Sequence, residues 1–347
     1  MSTMQETMAS VASMEETYGL LPDQIEFFLQ NGWLKLGGCF TREQAGRLQE
    51  TLWTRLGMDG GDMGTWHTER TNMPFFHEFP VADFAPKAWA GICGLLGGAH
   101  RIDSNASTWK DGFIVNLGTP EGYHRHIRPQ ELPGWHVDGD FFVHYLDSPE
   151  QALLVIPLWT DIVAGGGGTF LCPDAITHVA RHLFEHPEGV SPRMTPRAQN
   201  PEFVQEHGLK WFNDLAASMP DDAFVEATGV VGDVYLLHPL MLHSASNNQL
   251  RNVRVITNPP VSVKEPFLFE RADGAYSVVE RKTMLALGGK RMGEWRIQGE
   301  RQRVVPERVK IQEEMKRREE ERLARLREGA GIDGDGGKEV VQVGTAA

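Results

Sequence analysis

Two hydrophobic periods alternate along the chain and predict a mixture of helices and strands. Apolar residues three or four positions apart are typical of amphipathic helices, and short apolar runs bounded by Gly, Pro or Asn are typical of strands. The first pattern predicts helices over residues 22–31, 41–56, 86–96 and 173–186. The second predicts strands over residues 33–36, 112–117, 141–145, 152–160, 169–172, 230–237 and 253–257. Short strands with glycine turns and flanking helices favour a mainly β fold with flanking α-helices, as in a sandwich or barrel.

The two ends of the chain depart from this pattern. Residues 1–20 look like a loose segment, so we expect a flexible N-terminal tail before a domain over residues 21–300. Residues 301–328 alternate Glu with Arg and Lys, which predicts a charged C-terminal helix that is solvated and buries little core. Residues 329–347 are Gly-rich and are expected to be disordered. Inside the domain, residues 187–228 mix Pro, Asn and one short helical piece, as an insertion near the site would.

Composition narrows the class of protein. The chain has 347 residues, of which 41% are hydrophobic, so it can bury a sizeable core. It lacks the run of about 18 apolar residues that a membrane-spanning helix needs. A net charge of −13 disfavours binding to a nucleic-acid backbone. The three cysteines have no spaced pattern, and the N-terminus does not resemble a secretory signal, so we expect a cytoplasmic protein. Together with the charge and the lack of a long apolar run, this predicts no nucleic-acid and no membrane partner.

The stretch Gly-Trp-His-Val-Asp-Gly-Asp at residues 134–140 is the strongest candidate for chemistry. His136 and Asp138 are two positions apart, so in an extended strand they project from the same face, about 6–7 Å apart. An imidazole and a carboxylate at that spacing can bind one metal ion. Asp140 has the same parity and stays an alternative ligand, although Gly139 should turn the chain before it.

A third ligand is expected downstream, in the segment Gly-Asp-Val-Tyr-Leu-Leu-His-Pro-Leu-Met-Leu-His at residues 232–243. A Gly-Asp turn leads into an apolar strand, and we expect His243 to lie at the far end of that strand. His238 is its main competitor, but Pro239 follows it directly.

The next predicted strand contains an arginine among apolar residues. Arg254 alternates with Val253 and Val255, so it should be at least partly buried. Burying a guanidinium without a partner is costly, which implies that an anion binds there. Arg251 is the alternative, although its place beside a polar loop favours a solvated residue at the start of the strand.

Two histidines and one carboxylate form the facial ligand set of non-haem Fe(II) oxygenases. The chain has His-X-Asp, then a His about a hundred residues later and an Arg eleven residues after that. This order resembles the phytanoyl-CoA dioxygenase-like branch of the Fe(II)/2-oxoglutarate-dependent dioxygenases. The resemblance covers roughly residues 21–262. It includes the stretch at 27–36, Pro-Leu-Trp-Thr-Asp at 157–161 and Gly-Gly-Thr-Phe-Leu-Cys-Pro at 167–173.

The resemblance implies a double-stranded β-helix, or jelly roll, with the metal in the barrel mouth. It implies that Fe(II) is bound by His136, Asp138 and His243, and that 2-oxoglutarate and O2 are co-substrates. Arg254 would pair with the distal carboxylate of 2-oxoglutarate. Thr169 resembles a co-substrate contact of the family, and Asn116 on the preceding strand is a further candidate. The implied reaction hydroxylates a small organic metabolite and releases succinate and CO2.

Two other functions remain open. One is a cupin-like metal-dependent enzyme that does not use 2-oxoglutarate, and the other is a non-catalytic jelly-roll binding protein. The chain also departs from the family at Pro173-Asp174-Ala175, where many relatives have a Pro-Gly-Ser-His turn. Such a change reshapes the substrate pocket, and neither the substrate nor the oligomeric state is indicated by the sequence.

Other candidate residues compete with this assignment. One helical set could bind zinc, although no HExxH pattern accompanies it: His178, His182 and His186. His124 and His126 lie in a loop that could line a substrate entrance. Trp135, beside His136, is a candidate wall of the pocket, although a packing role is more common for a tryptophan.

Overall fold

The helices and strands were obtained from a computed structural model, which describes residues 19–203, 206–288, 292–306 and 308–329. The helices in this part of the chain are α1 Pro22–Asn31, α2 Arg42–Gln49, α3 Leu52–Leu56, α4 Val81–Phe84, α5 Pro86–Leu96, α6 Ala175–Glu185, α7 Lys210–Ala217, α8 Val278–Ala286 and α9 Arg308–Gly329. The N-terminal tail predicted over 1–20 lies outside the described residues except for its last two. The C-terminal tail predicted over 329–347 lies outside them except for its first.

The strands pair in antiparallel sheets, so the fold is a mixture of helices and antiparallel β-structure. They are β1 Trp33–Leu36, β2 Arg70–Asn72, β3 Glu78–Pro80, β4 Thr108–Lys110, β5 Ile114–Asn116, β6 Leu153–Pro157, β7 Thr169–Cys172, β8 Val225–Ala227, β9 Val234–Leu237, β10 Leu242–Ala245, β11 Arg254–Ile256 and β12 Pro260–Val261. The largest sheet has the order β1-β9-β6-β12, and two smaller ones have the orders β10-β7-β8 and β11-β5-β2, with β3 paired to β4.

Local sequence signals explain where several elements begin and end. α1 starts at Pro22 and ends at Gly32, whose φ of 70° places it in the left-handed region that glycine adopts freely. Thr41 caps α2 through a capping box with Gln44, as the Thr-Arg-Glu-Gln sequence predicts. The single helix expected over 41–56 is instead divided into α2 and α3.

The strand that was expected to carry His243 at its end is shorter than predicted. β9 ends at Leu237, and a turn follows in which the Leu240 N–H donates to His238 Nδ1 and the Met241 N–H donates to the His238 carbonyl. His243 lies on β10, in a different sheet from β9. The prediction of one continuous strand up to His243 was wrong because Pro239 has no N–H to continue the hydrogen-bond ladder of a central strand, so the chain leaves the sheet there.

Two further expectations differ from the structure. Residues 141–145 form isolated bridges rather than a strand, between Phe142 and Arg303 and between His144 and Val190. Residues 57–80, whose Gly, polar and aromatic residues predict a loop, contribute the short strands β2 and β3. Strands of three residues are too short to show a periodic pattern, and their pairing partners lie far away along the chain.

The charged C-terminal helix is not solvated on all sides. α9 packs against α3, and Glu319 on α9 is 2% exposed. Its Oε2 accepts a hydrogen bond of 2.9 Å from Arg55 Nε, and Arg55 Nη1 donates to Asp111 Oδ2, also at 2.9 Å. Glu319 is the one buried side chain of α9 among those that the structure describes, so the departure from a solvated helix is confined to this residue and its partner from a distant part of the chain.

Residues 302–304, just before α9, pair with the segment that follows residues 134–140. The Val143 N–H donates to the Gln302 carbonyl and the Val304 N–H donates to the Phe141 carbonyl. These bonds bring the start of α9 close to the candidate metal ligands. None of the helices in the described ranges is long and apolar enough to cross a membrane.

Candidate metal centre and anion site

Three potential metal ligands from distant parts of the sequence converge at one point. His136, Asp138 and His243 each offer one ligand atom, and these atoms all lie within 4.8 Å of one another. The Asp138 Oδ1 atom is 3.4 Å from His136 Nε2 and 3.6 Å from His243 Nε2. Two imidazole nitrogens and one carboxylate oxygen are thereby brought to a spacing at which they could hold one metal ion.

The two histidines are positioned by their own backbones. His136 and His243 lie directly opposite each other in an antiparallel bridge, with both N–H···O distances 3.0 Å. The Nδ1 atom of His136 is 2.8 Å from the Gly134 carbonyl, and that of His243 is 3.0 Å from the Met241 carbonyl. A carbonyl can only accept, so each Nδ1 carries a proton. Each Nε2 points at the site, where it can donate to Asp138 when it is protonated and present a lone pair to a metal when it is not.

The carboxylate is held by a residue from the end of the β11 segment. Asn258 Nδ2 donates to Asp138 Oδ2 at 3.2 Å, which leaves Oδ1 directed at the histidines. Burial alone would raise the pKa of Asp138, but hydrogen bonds to His136 and His243 hold it well below its usual range. Asp138 is therefore ionised. The chain then turns at Gly139, whose φ of 121° suits glycine and where a Cβ would meet the Phe142 ring at 2.6 Å.

The alternative ligands have other partners. Asp140 accepts two hydrogen bonds from Arg308, at 2.6 and 2.7 Å. His238 is fully buried against Thr283 Oγ1 at 2.9 Å, and burial lowers its pKa to about 3. In the ranges that the structure describes, His136, Asp138 and His243 form the one group of three with the spacing for a metal.

The remaining histidine candidates lie elsewhere. His182 Nε2 is 2.8 Å from the Met194 carbonyl, and His186 Nδ1 is 3.1 Å from Glu188 Oε1. His126 lines a separate cavity of about 40 Å³. Trp135 is fully buried and donates to the Pro129 carbonyl at 2.8 Å, which indicates packing rather than a pocket wall.

A buried arginine lies on β11, which leads to Asn258, and it contacts β7, the strand that pairs with the His243 strand β10. Arg254 is 2% exposed, and its Nη2 donates to Thr169 Oγ1 at 2.8 Å. Asn116 lies directly opposite Arg254 in the β5–β11 register, and its Nδ2 donates to the Ser246 carbonyl. The structure thus brings together the three residues that were predicted to contact an anion.

Arg254 has no carboxylate partner in the described part of the chain, and its Nε is buried without a hydrogen bond. Burial, together with the charge of Arg70, lowers the pKa of Arg254 to about 9. A buried guanidinium in this state favours any anion that can reach it. Arg251, in contrast, is partly exposed and lies over the Trp66 ring at 5.6 Å.

A cavity of about 520 Å³ opens beside the ligands. The polar residues that line it include Asn258, Arg193, Arg308 and Gln312, together with His136 and Asp138. Sequence reasoning missed the first four of these. Asn258 shares the strand parity of Arg254, which is a signal that could have been used. Arg308 and Gln312 lie on the charged helix α9, where no local pattern distinguishes them from their neighbours.

Comparisons with known proteins give only remote likenesses. HygX from Streptomyces hygroscopicus, solved with nickel and 2-oxoglutarate bound, is 12% identical with a TM-score of 0.40, over 74% of this chain and 94% of its own. SnoK, a non-haem α-ketoglutarate-dependent carbocyclase from nogalamycin biosynthesis, is 14% identical with a TM-score of 0.36, over 71% and 84%. AviO1 from Streptomyces viridochromogenes Tue57 is 16% identical with a TM-score of 0.37, over 70% and 95%.

No protein-family model and no curated protein matches the chain. Structural likeness at these identities and TM-scores is too weak to carry a function from one protein to another. The function of this chain is therefore argued from its own residues.

Proposed function

We propose that the protein is a non-haem Fe(II)- and 2-oxoglutarate-dependent dioxygenase, similar to the phytanoyl-CoA dioxygenase-like family and built on a jelly roll. It would hydroxylate a small organic metabolite and release succinate and CO2. The observation that carries the proposal is the combination of a His-Asp-His group with a buried arginine that lacks an anion. Neither feature alone is specific, but a metal site next to an anion site matches what 2-oxoglutarate requires.

The donor set fits Fe(II). Two neutral imidazoles and one carboxylate occupy one face of a metal and leave its other positions open. His136 and His243 have their Nδ1 protons engaged by carbonyls, so both rings are oriented before a metal arrives. When bound, the metal would supply O2 activation coupled to the oxidative decarboxylation of 2-oxoglutarate.

The anion site fits the distal carboxylate of 2-oxoglutarate. A guanidinium can bind a carboxylate through two parallel N–H···O bonds, and Arg254 has a buried Nε without a partner. Thr169 already receives a hydrogen bond from Arg254 Nη2, which fixes the orientation of the guanidinium and leaves the hydroxyl proton for the ligand. Asn116 borders this site from β5.

We place the catalytic domain at residues 21–300. Residues 187–228 contribute Arg193 and Leu209 to the cavity, and α9 contributes Arg308 and Gln312. The segment that resembles an insertion would therefore form part of the substrate pocket.

The two alternatives explain less of this arrangement. A cupin-like enzyme that does not use 2-oxoglutarate, or a jelly-roll binding protein, gives no reason for a buried arginine without a carboxylate partner. Burying a guanidinium in this way lowers stability, so its retention favours a ligand.

Anaerobic titration of the full-length protein with Fe(II) and then 2-oxoglutarate tests the proposal. We expect a metal-to-ligand charge-transfer band in the visible region that appears only when both are present. Metal binding without this band would favour the cupin-like enzyme, and absence of metal binding would favour the binding protein.

A further inference from the structure

A short loop beside the cavity is held in a strained conformation by several hydrogen bonds. The buried Ser191 Oγ accepts from the Arg193 and Thr195 N–H groups at 3.0 and 3.1 Å, and the Ser191 carbonyl accepts from the Met194 N–H at 2.9 Å. Met194 has a φ of 65°, which is uncommon for a residue other than glycine. Such strain persists where the surrounding structure over-determines it, and it is often found at ligand sites. The loop therefore fixes the backbone of Arg193 at the wall of the cavity.

Arg193 is a cation without a partner. It is half-buried and lines the cavity that also contains His136 and Asp138. In the part of the chain that the structure describes, no side chain or carbonyl bonds to its guanidinium. A guanidinium at the wall of a cavity, beside a rigid loop, is available to a ligand.

The neighbouring carboxylates are already bound by other residues. Arg193 also borders a second cavity of about 520 Å³, whose lining includes Glu206 and Asp214. Glu206 accepts from Asn200 at 3.4 Å, and Asp214 forms an ion pair with Lys210 at 2.5 Å. Among the described residues, neither carboxylate forms an ion pair with Arg193.

The charges of the first cavity balance except at Arg193. Asp140 is neutralised by the two hydrogen bonds from Arg308. Asp138 and the chelating carboxylate of 2-oxoglutarate would offset a divalent metal, and Arg254 would offset the distal carboxylate. One positive charge then remains on the described lining, at Arg193.

We propose that Arg193 binds an anionic group of the primary substrate, so that the substrate is a small metabolite that carries a negative charge. The polar side chains of Asn72, Gln151 and Gln312 also line the cavity and suit a ligand with further hydrogen-bonding groups. A volume of about 520 Å³ lies within the range of small-molecule sites. This inference rests on the proposed function, because it names the substrate class of the same site.

The test is a nuclear magnetic resonance titration that resolves single arginines. Full-length protein loaded with Zn(II) and 2-oxoglutarate, with ¹⁵N-labelled arginine side chains, is titrated with acetate, acetamide and methyl phosphate. The variant Arg193→Gln identifies the Nε–H signal of Arg193. Arg181, an exposed arginine on α6 for which the structure shows no ion pair, serves as the matched control.

We expect acetate to shift the Arg193 signal saturably, at a concentration at least about tenfold lower than it needs at Arg181, which corresponds to about 1.4 kcal/mol. Acetamide should not do so, because it carries no charge. Equal responses at Arg193 and Arg181, or an equal response to acetamide, would overturn the proposal. The methyl phosphate and acetate arms distinguish a phosphate from a carboxylate as that group, and the absence of a saturable response to either anion would overturn the proposal.

The same samples separate this inference from the function on which it rests. Failure of wild type to bind 2-oxoglutarate, with a saturable acetate response at Arg193, would remove the dioxygenase proposal and leave the anion site. Normal 2-oxoglutarate binding without a response at Arg193 would remove the anion site and leave the dioxygenase proposal.

Discussion

His136 and His243 exchange both hydrogen bonds of one antiparallel bridge, which holds their backbones together, and each ring is oriented by a carbonyl two residues earlier in its own segment. Their ring centroids are 4.3 Å apart. The two imidazoles therefore do not depend on a metal to meet. A site assembled in this way pays little ordering entropy when the metal binds.

The first prediction distinguishes the third ligand from its neighbour. His243→Ala should abolish tight Fe(II) binding, because two ligands remain. His238→Ala should keep metal binding but lower the melting temperature, because it removes a buried ring that contacts Thr283. Metal content after dialysis and thermal unfolding measure the two effects. Retained Fe(II) in His243→Ala with loss in His238→Ala would contradict the assignment.

The second prediction concerns the co-substrate. Arg254→Met removes one side of a buried charge pair, which typically costs about 2–5 kcal/mol, so 2-oxoglutarate should bind about thirtyfold or more weakly. Arg254→Lys should restore binding only in part, since an ammonium cannot make the planar two-bond contact. Fe(II) binding should be unaffected. Anaerobic 2-oxoglutarate titration measures the change, with Arg251→Met as the control. A larger loss in Arg251→Met would assign the anion site to the other arginine.

The third prediction concerns the C-terminal helix. Glu319→Gln breaks a buried ion pair and should lower the free energy of unfolding by roughly 1–2 kcal/mol, because it removes a charge-assisted hydrogen bond while Arg55 keeps Asp111 as a buried partner. Truncation after Val305 should cost at least as much. The neighbouring Glu320 is exposed, so Glu320→Gln is a matched control with little effect. Chemical denaturation provides the measurement, and equal stability of the two variants would show that α9 contributes nothing through Arg55.

The fourth prediction is a pH dependence of stability at Glu280. Burial alone would raise the pKa of this carboxyl, but hydrogen bonds from Arg101, Arg271 and two backbone N–H groups hold it at about 2 instead of 4.5. Because the folded pKa is the lower one, the stabilisation is present above pH 4.5 and is lost as the pH falls towards 2. A shift of this size corresponds to roughly 3 kcal/mol. Glu280→Gln should therefore be less stable than wild type at pH 7 and approach it in acid, and a constant difference across this range would exclude the linkage.

The candidate site residues with strong local signals could be predicted from the sequence, but the strands that bring them together could not. Arg254 could be selected because the cost of burying charge acts within a few residues. His136 and Asp138 could be selected by their spacing, although the structure gives His136 an isolated bridge and Asp138 a bend instead of the expected strand. The prediction of one strand that ends at His243 was wrong because β9 ends before Pro239, and the chain then continues into another sheet. Helix and strand bounds with strong signals, such as those of β1 and α5, coincide with the structure.

Residues whose role depends on distant partners could not be found in this way. Glu319 is one of many glutamates on α9, and only the position of Arg55 distinguishes it. Arg193 and Arg308 reach the cavity through the packing of segments that have no periodic pattern. Asn258 is intermediate, since its parity with Arg254 was visible but its partner Asp138 was not.

The helix α9 is attached by two ion pairs of unequal depth, one at its first residue, Arg308, and one near its middle, at Glu319. The Arg308–Asp140 pair, above the cavity, is 47% and 35% exposed, whereas the Arg55–Glu319 pair is 1% and 3% exposed. Salt screens exposed charges far more than buried ones. The contact of α9 with Arg55 should therefore persist at high ionic strength, whereas its contact with Asp140 should weaken and release the start of the helix. In concentrated salt, we expect faster amide hydrogen exchange around residues 308–312 than around residue 319.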